Sequence, residues 1–214
     1  MKTSIKIMLT MIFLVAFSSC KKDDVSANSD ITTQINSLPN EPLSVDEIQS
    51  LKIMREEEKL AHDVYITLYN KWNVNVFSNI SSSEQTHTNA VLTLLKKYNI
   101  TDPVGSNALG LFTDTTLQNL YSALVAEGNK SALDAFKVGA TIEDLDIFDL
   151  NNWDNKVDNQ DIKFVYSNLN KGSRNHIRSF YSQVLSSGGT YSAQYISQTE
   201  LEAIINSPRE TGSW

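Results

Sequence analysis

Glu84 and His87 lie three residues apart in the run FSNISSSEQTHTNAVLTLLKKY, where a helix packing into a core should carry apolar side chains. Phe77, Ile80, Glu84, His87, Val91, Leu94 and Tyr98 recur at spacings of three and four, the period of one helical face. A carboxylate and an imidazole one turn apart can both reach a single metal ion, and iron, manganese and zinc all accept such donors.

Three further stripes share the feature. The first is Leu51, Met54, Glu58, Ala61, Tyr65, Leu68 and Trp72. A later one is Leu133, Phe136, Ala140, Glu143, Ile147 and Leu150, and the last is Ile162, Tyr166, Leu169, Ser173, His176, Phe180 and Val184. Each ionisable residue falls near the middle of its stripe, so Glu58, Glu84, His87, Glu143 and His176 can share one layer. An ionised carboxylate buried without a partner costs several kcal/mol, and three could cancel a domain stability of about 5–15 kcal/mol. The stripes contain no lysine or arginine. His87 and His176 as imidazolium ions would neutralise part of the charge; two divalent cations would neutralise more. A metal-free network of histidines and glutamates stays open as the alternative.

The elements that must position these residues are helices almost throughout. SVDE, Ser44 to Glu47, reads as a capping box that starts a long helix running to about Trp72. A second long helix covers Phe77 to Tyr98, a third Ser131 to about Trp153, and a fourth Asp158 to Ser187. About five residues join the first pair and the last pair, which makes each pair antiparallel neighbours. Asn99 to Lys130 separates the second helix from the third and carries a short helix, DTTLQNLYSALVAEG; a short C-terminal helix begins with its own capping box at Ser197. The expected fold is all-α: four long helices with one long crossover between the second and third, the connection of ferritin-like bundles.

At these residues the chain resembles the ferritin-like superfamily, and rubrerythrins within it. EKLAHDVY places Glu58, Ala61 and Tyr65, FSNISSSEQTH ends in the Glu84-x-x-His87 pair, GATIEDLDIFDL brings Glu143, and SRNHIRSF brings His176. MREEEKLAHDVY, FSNISSSEQTH and KGSRNHIRSFYSQV resemble more closely the domain-of-unknown-function family 2202, over nearly all of Leu43 to Gly212. The resemblance implies a di-iron-type site, with one departure. A full site uses two Glu-x-x-His pairs, and here the second is Ser173-x-x-His176. Asp146, one turn after Glu143 on the same face, would be a sixth ligand and support two iron ions; it is otherwise a solvated acid. Manganese or zinc fits the same donors.

Other polar residues receive plainer roles. Tyr65, about 10 Å along the axis from Glu58, is expected to donate a hydrogen bond to the site from behind, and Ser173 marks the gap. Glu56, Glu57, Lys59 and Asp63 are read as the wet side of the first helix, and His62 as exposed. Arg174 and Arg178 are expected to pair with the acidic run of the third helix.

The N-terminus suggests a location. MKTSIKIMLTMIFLVAFSSC has Lys2 and Lys6, an apolar run and small residues before Cys20, the one cysteine. That is a lipoprotein signal over residues 1–19, too short for a good membrane span. A lone cysteine excludes a disulfide framework and a Cys-rich zinc site. Residues 20–42 are expected to be a flexible tether behind a lipid on Cys20, with the helical domain at 43–214. KDD after the cysteine resembles a surface-export signal. The expected location is the bacterial envelope, as an outer-membrane lipoprotein exposed at the surface if that signal holds. Loss of the leader takes the net charge from -7 to -9, and an acidic domain without a basic cluster excludes nucleic acid as partner. Open apolar seams allow a homodimer. The expected function is a tethered ferritin-like metal-binding protein, a di-iron oxidoreductase of ferroxidase or peroxidase-like type acting on Fe(II) with oxygen or peroxide. A non-catalytic metal-sequestering protein and a structural module with a metal-free polar core stay open beside it.

Overall fold

Asn73 ends one helix in the left-handed conformation, φ 53°, and two residues later the next begins. This tight turn sets the geometry of the first half of the molecule. The computed structural model describes residues 23–212, with side chains from residue 30. They form seven helices and no strand: α1 (Asp23–Ser37), α2 (Val45–Trp72), α3 (Asn75–Lys97), α4 (Thr115–Gly128), α5 (Ala132–Asp154), α6 (Gln160–Ser186) and α7 (Gln198–Asn206).

Local sequence explains where these helices start. Ser44 accepts from the Glu47 N–H while the Glu47 side chain returns to the Ser44 N–H, a complete capping box. Asp114, Ser131 and Ser197 cap α4, α5 and α7 in the same manner with one side chain.

The long helices pair as antiparallel neighbours. Residues 55, 58 and 65 of α2 meet residues 88, 87 and 77 of α3. Gly139, Glu143 and Asn151 of α5 meet Phe180, His176 and Asn170 of α6. Contacts of α3 with α6 and of α2 with α5 close the four into a ring. Their buried faces form two apolar clusters. One holds Tyr65, Leu68, Phe77, Phe136, Phe180 and Val184, with rings of Tyr65, Phe77 and Phe180 5.1–6.4 Å apart. The other holds Leu51, Met54, Val91, Leu94, Leu150 and Tyr166. The ionisable layer lies between them.

Two expectations are corrected here. The flexible tether of residues 20–42 is instead largely helix α1, which packs on α3 and α6. Ile31 and Ile35 are buried in the second apolar cluster, each worth about 1.5–3 kcal/mol if fully removed from water. Lys97 donates to the Ile35 and Leu38 carbonyls and pairs with Asp161, a cation at the negative end of α1. The expected leader and Cys20 lie outside the described residues.

The second correction concerns α2, which has no wet side in this region: Glu56, Glu57, Lys59 and Asp63 are all buried. The crossover covers them. Glu56 accepts from the Thr113 and Asp114 N–H groups, and Asp63 accepts from Lys59 and the Gly110 N–H. Lys59 also donates to the Ala108 carbonyl, and Arg55 makes a two-pronged contact with Asp102. His62 is half-buried against Asp63.

Candidate metal centre

Glu84 stands at the middle of the ionisable layer with a histidine on each carboxylate oxygen. Its Oε2 lies 2.7 Å from His87 Nδ1, and its Oε1 lies 2.7 Å from His176 Nδ1. Glu58 Oε2 approaches His87 Nδ1 from α2 at 3.1 Å, and Glu143 Oε2 approaches His176 Nδ1 from α5 at 3.3 Å. The result is two triads that share Glu84: Glu58, Glu84, His87 and Glu84, Glu143, His176. Within each, one ligand atom per residue lies within 4.8 Å of the others. The imidazoles stack at 5.6 Å between ring centres.

Several of these atoms make no aligned hydrogen bond. Glu58 Oε1, Glu84 Oε1, Glu143 Oε2 and His176 Nδ1 are sealed from solvent and none has a hydrogen-bond partner. His176 Nδ1 and Glu84 Oε1 are 2.7 Å apart yet not aligned as donor and acceptor. Close polar atoms that do not point at one another could accommodate a metal ion between them. His176 turns its other nitrogen, Nε2, to Ser83 Oγ at 3.1 Å. A proton held there leaves the Nδ1 lone pair facing the carboxylates, as metal-binding histidines require. The donor set of carboxylate oxygen and imidazole nitrogen therefore fits iron, manganese or zinc.

Electrostatics point the same way. Burial pushes the Glu58 carboxyl up to about 7, with His87 pulling against it. Burial likewise raises Glu143, and raises Asp146 well above the usual carboxylate range with help from Glu58, Glu143 and Glu84. Glu57 is pushed up to about 8 by burial and by Asp149, Glu58 and Asp114. Glu84 is the exception: burial opposes its charge, but His176 and His87 hold it well below the usual range. Burial also opposes charge on the imidazoles, yet Glu84 and Glu58 raise His87, and Glu84 and Glu143 bring His176 up to about 9. Without a metal the layer retains protons that a cation would displace.

The remaining predicted residues fall around this centre. Tyr65 donates to Glu143 Oε1 at 2.5 Å, fixing that carboxylate from behind. Ser173 is buried, but its hydroxyl donates to the Leu169 carbonyl of its own helix at 3.2 Å. Asp146 is buried rather than solvated, and its Oδ2 has no hydrogen-bond partner; it belongs to neither triad. Arg174 and Arg178 are corrected: both bind Glu210 near the C-terminus instead of the acids of α5.

Sequence reasoning assigned no role to Ser83 or Gly172 and placed Glu57 on the wet side of the first helix. Ser83 carries no motif that would reveal it. Glu57 borders the stripe of α2 and is sealed in by the crossover. Gly172, a glycine inside a long helix, was a legible signal of close approach: a Cβ there would lie 2.5 Å from His87 Cε1 and 2.6 Å from Nε2. Its absence of side chain lets α6 close over the His87 ring.

The Uncharacterized protein domain (DUF2202) family matches residues 47–208, three quarters of the chain. Uncharacterized protein MJ0754 of the archaeon Methanocaldococcus jannaschii is 57% identical over 178 residues, 83% of this chain and 96% of that protein. The crystal structure of hypothetical protein MJ0754 superposes with a TM-score of 0.79, covering 81% of this chain and 99% of that one. The archaeal relative overturns the expected bacterial outer-membrane location: the same domain, nearly end to end, occurs in a chain with no bacterial envelope around it. The chain belongs to the DUF2202 family.

Proposed function

We propose that this DUF2202 chain is a ferritin-like four-helix metal-binding protein whose buried layer holds two divalent cations, with iron as the working metal. One observation carries the reading. Two buried triads share Glu84, each with one ligand atom per residue within 4.8 Å of the others, and four of their side-chain atoms are sealed from water without an aligned hydrogen bond in a layer between two apolar clusters. Burying three carboxylates with only two histidines to balance them costs stability, and two divalent cations would offset that cost.

Each residue then has a stated task. Glu84 would serve both halves, since each of its oxygens faces one histidine. Glu58 with His87, and Glu143 with His176, complete the two halves, while Tyr65 and Ser83 hold Glu143 and His176 in position. When bound, iron supplies one-electron redox chemistry. All five ligands are at most 6% exposed, so the reactants that fit are ions and small oxidants such as oxygen or peroxide, and the reaction class is Fe(II) oxidation.

One feature favours a second reading, sequestration without turnover. The Ser173 hydroxyl is committed to its own helix, which leaves five ligands where six carboxylate and histidine groups make the full set. Oxygen uptake on adding Fe(II) to the anaerobic protein separates the two. Catalytic consumption supports oxidation; tight binding with no uptake supports sequestration.

A further inference from the structure

Glu57 is buried next to a ligand, yet no hydrogen bond accounts for its Oε2. Its neighbour Glu56 is spent on the Thr113 and Asp114 N–H groups. Glu57 lines two spaces at once. The outer one is a surface groove beside the start of α4, walled by Glu56, Thr113, Asp114 and Leu117, with Lys52 also on its wall. The inner one is a narrow enclosed space among Leu60, Leu117, Leu120, Leu124 and Leu145, and its second acid is Asp146. Asp146 Oδ2 is also sealed and without a hydrogen-bond partner. Glu57 and Leu117 are shared by both spaces. Asp146 is one turn from Glu143, within reach of the cluster's charges.

These acids therefore form a series from exposed Asp114 through Glu57 and Asp146 to the ligands. The walls between them are mostly leucine and isoleucine, with Thr141 and Tyr195 as the other polar side chains, so Glu57 and Asp146 are the carboxylates a cation would meet there. A cation crossing that stretch needs carboxylate oxygens at intervals, and the two unpartnered oxygens are placed to supply them. A sealed cluster also needs an entry path, since its ligands touch almost no solvent.

We propose that Glu57 and Asp146 are a transit site for divalent cations, handing them from the groove beside Asp114 to the buried cluster without being permanent ligands. The proposal rests on the metal-binding reading above. It assigns Asp146 a different role from that of sixth ligand.

The test follows Co(II) uptake by the purified metal-free chain, reading cobalt absorbance in a stopped-flow instrument and final content by elemental analysis. Glu57→Gln and Asp146→Asn keep the shapes and remove the carboxylates that a cation would claim by displacing their protons. Each should load about tenfold more slowly, the lower end of electrostatic steering effects, and reach the parent's final content. Asp114→Asn is exposed and still able to cap α4, so it tests the path even where a buried variant folds poorly; it should slow loading about twofold. Parent-like rates in the folded variants overturn the transit site while leaving the metal reading intact. Reduced final content in Glu57→Gln or Asp146→Asn makes them ligands and also overturns it. A parent that takes up no cobalt overturns both readings together.

Discussion

Glu143 and Asp144 are consecutive residues on α5, both fully buried, and they face opposite demands. Asp144 points to the C-terminal segment and accepts from the Tyr191 hydroxyl at 2.7 Å, the Gln194 N–H at 2.6 Å and the Ile196 N–H at 2.8 Å. Glu143 points into the helical ring and keeps an oxygen with no hydrogen-bond partner. The same contrast separates Glu56 from Glu57. It extends to Asp63, Asp161 and Glu47, which clamp loops or partner helices through matched donors. Buried acids thus come in two kinds here. One kind is satisfied by the chain itself and holds the fold; the other keeps an oxygen without a donor, where a cation could bind.

Breaking that distinction should begin with the metal itself. At a free-metal concentration a thousandfold above Kd, binding stabilises the native state by about 4 kcal/mol. The Glu84→Ala, His87→Ala pair should lose all of that gain in calorimetry with and without Fe(II). Asp144→Ala should cost about 3 kcal/mol by leaving several donors unpaired, and urea unfolding should give the same loss whether or not metal is present. Glu143→Gln should change metal-free stability by no more than about 1 kcal/mol, because it removes a buried charge that lacks a full partner. The same variant should weaken metal binding, which titration would read.

The smallest effect belongs to pH and Asp63. Burial opposes its charge, but His62, Lys59 and the Gly110 N–H hold its carboxyl below the usual range. A depressed folded-state value contributes stability above the unfolded value near 4 and loses it as pH falls through the lower folded value. Acid unfolding of Asp63→Asn should therefore be shallower than that of the parent below pH 4.

The stripes made the five clustered ionisable residues and the four long helices readable, because burial of a helix face imposes a period that any ionisable residue visibly interrupts. The capping box at Ser44 and the side-chain cap at Ser197 fixed helix starts for the same local reason. What escaped was decided by chain segments far away. Asp102, Ala108, Gly110 and Thr113 turn the polar side of α2 into an interior, and no local pattern in EEEKLAHD announces that cover. Helix α1 was missed because its sequence is polar and, among its described side chains, the buried ones are Ile31 and Ile35. The outward role of Arg174 and Arg178 depended on Glu210, more than thirty residues on.

The most direct test is elemental analysis of the purified chain after anaerobic loading with Fe(II) and desalting, beside the Glu84→Ala, His87→Ala variant. The account predicts about two iron ions per chain, one for each triad sharing Glu84, and none in the variant. No bound metal in the parent, or equal content in the two proteins, would contradict it.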